Sequence, residues 1–110
     1  MPDSAPLELS ALSDGAATTV HIAGEIDLAT ADEVQSFLRE QLDGTTEAIT
    51  LRLAEVTFIG SEGLRILIWL RAECARRQVG LVVGDCSPIV VRTFGLCGLT
   101  EVFLGEQDTA

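Results

Sequence analysis

The sequence predicts one α/β domain, built on a mixed, mostly parallel sheet of about five strands with an N-terminal hairpin and three or more helices. Three observations predict it. Strand-like and helix-like segments alternate in the order ββαβαβα, followed by a last β segment, and strands joined through helices run parallel. The first two strands are separated only by Ser13, Asp14 and Gly15, residues that favour a tight hairpin turn. An apolar fraction of 47% in 110 residues is enough for one core and too short a chain for two. The domain is expected to span residues 6–106, leaving 1–5 and 107–110 as polar tails.

Each element has its own signal. Leu7, Leu9 and Ala11 alternate through the first strand. Thr18 to Gly24 form the second, with Val20 and Ile22 facing one way and Thr19, His21 and Ala23 the other. Beyond Asp27, Thr30 and Glu33 have the spacing of a capping box. Val34, Phe37, Leu38 and Leu42 then recur at helical spacing until Asp43 and Gly44 end the helix. Ile49, Leu51 and Leu53 alternate in a third strand that runs on through Val56 to Ile59. The turn Gly60 to Gly63, with Ser61 at the N-cap, opens a second helix that extends to about Arg77. On a helical wheel its apolar face comprises Leu64, Leu67, Ile68, Leu70, Cys74 and Ala75, with Arg71 falling inside that face and Arg65, Trp69, Glu73 and Arg76 opposite. Leu81 to Val83 suit a strand covered on both faces. Ser87 and Pro88 read as the N-cap and first residue of a short helix that Gly95 terminates. Val102, Phe103 and Leu104 are expected to form a final edge strand.

Charge narrows the function. The net charge is −10, and residues 1–60 hold eleven Asp or Glu against Arg39 and Arg52. Nucleic acids and anionic membranes require a positive face, so neither is expected as a partner, and a protein with basic patches suits better. The longest apolar run, Ile66 to Leu70, is far below the roughly 20 residues that span a bilayer. Met1 to Leu12 lacks the basic and apolar regions of a signal peptide, and a cytoplasmic location is expected. Cys74, Cys86 and Cys97 lack the paired spacing of a metal site or redox dithiol. They read as small apolar residues, with a redox-sensitive pair as the alternative.

Catalytic chemistry is hard to assemble from these residues. His21, the single histidine, lies mid-strand with no nucleophile patterned to it, so no triad is predicted. No phosphate-binding glycine loop occurs, and no cofactor or metal is expected. The segment Val56 to Arg65 stands out instead. A strand ending at Gly60 and a helix starting at Ser61 present free backbone N–H groups and the positive end of a helix dipole, a place that favours an anion. Glu62 supplies one. Trp69, one turn past Arg65, is either packed under a neighbouring element or part of a binding surface, where Trp and Arg are enriched.

Three ordered segments resemble the anti-sigma factor antagonists of the STAS domain family. Gly24-Glu25-Ile26-Asp27 resembles their Gly-Glu-(Ile/Leu)-Asp element. Val56 to Arg65 resembles their strand, Asp-Ser-Ser-Gly turn and Gly-Leu-Arg helix start. Gly80 to Val83, Ser87-Pro88, Val91-Arg92, Phe94, Leu96, Gly98-Leu99 and Val102-Phe103 resemble their C-terminal third.

The resemblance implies a binding protein without catalytic groups that engages a serine-kinase anti-sigma factor and releases a sigma factor to transcribe, acting as a monomer or weak homodimer. It implies a recognition surface around Asp27, Gly60, Ser61, Glu62, Gly63 and Arg65, extended by Trp69 if that ring is exposed. The family's phosphoacceptor, the second Ser of the turn, is Glu62 here, and its preceding Asp is Gly60. Glu carries a charge of −1 where phosphoserine carries about −1.5 to −2. Glu62 therefore either holds a weak-binding state or frees the domain from kinase control. Ser61 is a second candidate for phosphorylation. A constitutive scaffold in a stress-signalling or lipid-transport complex, and redox control through the cysteines, are the competing readings.

Overall fold

The structure is a computed structural model that describes residues 6–105. Its elements run β1 (Glu8–Asp14), β2 (Ala17–Ile26), α1 (Ala31–Leu42), β3 (Ala48–Ile59), α2 (Ser61–Arg77), β4 (Gly80–Cys86), α3 (Pro88–Leu96) and α4 (Thr100–Phe103). The four strands form one sheet in the order β1-β2-β3-β4. The β1–β2 pair is the antiparallel hairpin, and β2–β3 and β3–β4 are parallel.

Strand alternation sorts the sheet into two faces. Val20, Leu51 and Val83 sit side by side across β2, β3 and β4 and are buried. One residue earlier in β2, β3 and β4, the row Leu12, Thr19, Thr50, Val82 faces away from them, and Leu12 and Val82 stay exposed. Helix α1 packs on β1 and β2, α2 on β3 and β4, and the two helices touch. A single core cluster joins β2, α1, β3, α2, β4, α3 and α4.

The α/β class and the mixed sheet agree with expectation, while several details differ, among them that α3 runs through Gly95 to Leu96 instead of ending at that glycine. The C-terminal apolar run is helical: α4 turns Phe103 into the core, where its ring stacks on Phe94 at 5.0 Å. Three apolar residues carry no periodicity that separates strand from helix, and stacking decides the matter. The described sheet therefore has four strands.

Thr30 occupies the N-cap of α1, but its hydroxyl makes no cap bond. It donates to the Glu25 carbonyl at 2.8 Å and accepts from the Asp27 N–H at 3.0 Å, so it ties the loop together instead of capping the helix. Gly60, not Ser61, is the N-cap of α2. Finally, α2 buries Gly63, Ile66, Leu67, Leu70 and Cys74, while Ile68, Arg71 and Ala75 are exposed. The buried stripe is rotated because α2 rests against the sheet on one side and α1 on another. Arg71 accordingly points away from the core, as a guanidinium requires.

Candidate functional site

Strands β2 and β3 are parallel, so their carboxyl ends lie together and both connections to the following helices emerge at one edge of the sheet. The Gly60 N–H donates to the Ile26 carbonyl at 3.0 Å and pins the two connections side by side. Sequence decides the local geometry. Asp27 Oδ1 accepts from the Ala29 and Thr30 N–H groups at 3.0 and 3.2 Å, which folds the loop after β2 tightly. At position 63 an added Cβ would lie 2.7 Å from Ile59 Cγ1 and 2.8 Å from Ile26 Cγ2. Only glycine lets the start of α2 settle this closely on both strand ends.

Ser61 is the first residue of α2 and is exposed, with Glu62 half-buried and Gly63 buried behind it. Among the described residues no side chain caps this helix. Its amino end carries the partial positive charge of unpaired N–H groups. Glu62 does not stand free: Arg65, one turn along, donates to its Oε1 through Nε at 3.1 Å and through a terminal nitrogen as well. That hydrogen bond, with the charges of Glu62 and Asp32, raises the Arg65 guanidinium above its ordinary value. The opposite charges at this spacing were a readable signal of the pair.

Two exposed apolar side chains stand on the segments that form this edge and carry no periodic signal in the sequence. Leu28, in the loop after β2, is 79% exposed, and Phe58, near the end of β3, is 45% exposed. No periodicity marks them, because both sit where regular strand alternation has ended. The register of β2 against β3 shifts between His21 and Ala23 and again between Gly24 and Glu25.

Asp27, Gly60, Ser61, Glu62, Gly63 and Arg65 therefore gather at one edge, and Trp69 lies one helical turn past Arg65 on α2. Its ring is half-buried, packs against the core cluster, and holds the Arg39 guanidinium of α1 at 5.1 Å. It joins the two helices.

The three cysteines are dispersed in character. Cys74 is buried in α2, Cys86 half-buried at the end of β4 and Cys97 exposed, all as free thiols. Burial, with the nearby Glu73 charge, pushes Cys74 up to about 11, and burial with Asp85 does the same to Cys86. Such thiols hold little thiolate at neutral pH. Among the described residues no group of three His, Cys, Asp or Glu gathers in a metal-binding arrangement. No helix among them is long and apolar enough to cross a membrane.

A model of the STAS domain matches residues 9–110. The chain belongs to the STAS domain family. Within that family it is similar to the anti-sigma-B factor antagonist of Listeria monocytogenes, at 33% identity over 76% of this chain and 73% of the relative. Among solved structures it resembles an anti-sigma factor antagonist from Mycobacterium paratuberculosis, with 25% identity, a TM-score of 0.80, and coverage of 90% of this chain and 84% of that one. It also shares the fold of the anti-sigma factor antagonist SpoIIAA in its unphosphorylated form, at 16% identity and a TM-score of 0.73 over 90% and 86% of the two chains. The protein is an anti-sigma factor antagonist-like STAS domain.

Proposed function

We propose that this STAS domain binds an anti-sigma factor of the serine-kinase type, in the cytoplasm and without catalysis of its own, so that a sigma factor is released for transcription. The observation that carries the reading is the edge formed by the start of α2 and the loop after β2. There the helix end without a side-chain cap, Ser61, and the apolar Leu28 and Phe58 on the two connections are all exposed. Exposed apolar groups beside a polar turn suit a protein partner.

Glu62 frees the domain from phosphorylation at the family's acceptor position, and Arg65 offsets its charge through the pair within α2. Binding is then constitutive. Asp27, Gly60 and Gly63 act by shaping the turn, with Ser61 and Arg65 meeting the partner. A standing role as a scaffold in a stress-signalling or lipid-transport complex is the second reading, favoured by the two altered turn residues, Gly60 and Glu62. Control through Cys74 and Cys86 is disfavoured by their raised thiols.

The test measures affinity for candidate anti-sigma kinases in ADP and in ATP, for the natural protein and for Glu62→Ser. The natural protein is expected to bind one kinase equally in both nucleotides with no phosphate incorporated. Glu62→Ser is expected to bind in ADP, to gain one phosphate in ATP and to lose at least about tenfold in affinity, the scale of one disrupted charged contact. Much tighter binding by Glu62→Ser in ADP would show that Glu62 imitates phosphate, and phosphate on the natural protein that disappears in Ser61→Ala would show that kinase control persists. Failure of either protein to bind any kinase would leave the scaffold reading standing.

A further inference from the structure

On the sheet face away from α1 and α2, a groove of about 490 Å³ crosses the carboxyl-terminal halves of β2 and β3 from the start of β1 to the end of β4. Glu8, Ala23, Ala54, Glu55, Thr57 and Ser87 are among its lining residues. Glu8 and Glu55 lie opposite Ala23 from its two sides, so their carboxylates flank a floor of small side chains. Neither carboxylate has an ion-pair partner among the described residues. Arg52, the neighbouring cation on β3, is held by Asp85 at 2.8 Å and does not neutralise them.

Ser87 adds an independent observation. It occupies the N-cap of α3, yet its side chain makes no cap bond. The residue is only 7% exposed, and its Oγ is buried with no hydrogen-bond partner among the described residues. Buried hydroxyls in folded proteins are ordinarily satisfied, so an orphaned one in the wall of a groove marks a missing polar partner.

We propose that this groove receives the guanidinium of an arginine side chain from a partner protein. Two carboxylates and a hydroxyl offer acceptors that the planar, five-donor fork of a guanidinium can engage together, and a guanidinium also lies flat on small apolar groups such as Ala23 and Ala54. Charge complementarity agrees, since residues 1–60 carry eleven acidic side chains against two basic ones. No residue of α2 lines the groove, which borders the edge at the carboxyl ends of β2 and β3.

The probe is N-acetyl-arginine methylamide, titrated into the isotope-labelled protein and followed by amide chemical shifts. Saturating shifts are expected at Gly24, Glu55, Thr57 and Ser87, with those of Ser61, Glu62 and Arg65 unmoved. The corresponding lysine compound and spermidine are expected to bind at least about fivefold more weakly, because neither presents a planar fork. Glu8→Gln and Glu55→Gln are each expected to weaken the arginine compound roughly tenfold, the worth of a charge-assisted hydrogen bond. Ser87→Ala should also weaken it. If that variant fails to fold, the two glutamate variants, both on the sheet surface, carry the test. Shifts spread over the acidic surface, equal binding of spermidine, or indifference to both glutamate substitutions would overturn the proposal.

Discussion

Single atoms decide how the edge at β2 and β3 is built. Gly63 has no Cβ where one would stand 3.0 Å from the Ile26 carbonyl oxygen and closer still to two isoleucine side chains. Gly63→Ala is expected to destabilise the fold by about 1–3 kcal/mol, the usual cost of overpacking, read as a lower urea midpoint with an unchanged slope. An unaltered midpoint would mean that the start of α2 shifts freely, and the close seat on the strand ends would lose its importance. Gly24 is held in the same spirit: its φ is +102°, and an added Cβ would meet the Pro6 carbonyl oxygen at 2.6 Å. Both glycines stand inside motifs visible in the sequence, but atoms of distant segments, Pro6 for Gly24 and Ile26 for Gly63, are among those that require them. The spacing of Glu62 and Arg65 allows an ion pair to be read from sequence, whereas a Ser87 hydroxyl without a partner among the described residues leaves no such trace. Ser before Pro reads as an ordinary cap, and only the burial of its oxygen without a partner reveals otherwise.

At the scale of elements, amphipathic periodicity found α1 and α2 because a repeat of 3.6 residues needs only local sequence. It placed the buried stripe of α2 incorrectly, since the stripe depends on where β3, β4 and α1 approach. The C-terminal segment is the clearest case of tertiary control. Val102 to Leu104 favour a strand by composition, yet Phe103 stacks on Phe94 from a single helical turn, and the Thr100 carbonyl accepts from the Leu104 N–H at 2.7 Å. Phe103→Ala is expected to cost about 3–5 kcal/mol, as for a buried ring. Thermal unfolding checks it, and a loss below about 1 kcal/mol would return this segment to the periphery.

Across the whole molecule, the core and the charge act together. The raised thiols of Cys74 and Cys86 link stability to pH with a definite sign. Each shifts from an ordinary 9.0 to about 11 on folding, so between those values the folded chain keeps protons that the unfolded chain has lost. The stabilisation is complete below pH 9 and falls as pH rises towards 11. Urea unfolding at pH 8 and pH 10.5 is expected to show this loss, and Cys74→Ala with Cys86→Ala is expected to reduce it; the same pH slope in the double variant would assign the effect elsewhere. Sequence by itself determined the α/β class, the hairpin, the two long helices, the acidic character and the turn at Gly60 to Gly63, because periodicity, turn chemistry and composition are local properties. Tertiary structure alone decided which helix faces are buried, how the last apolar run folds, that Trp69 bridges α1 and α2, and that Leu28, Phe58 and the acidic groove remain open. Each of those outcomes depends on segments far apart in the chain meeting in space, and no local pattern records such a meeting.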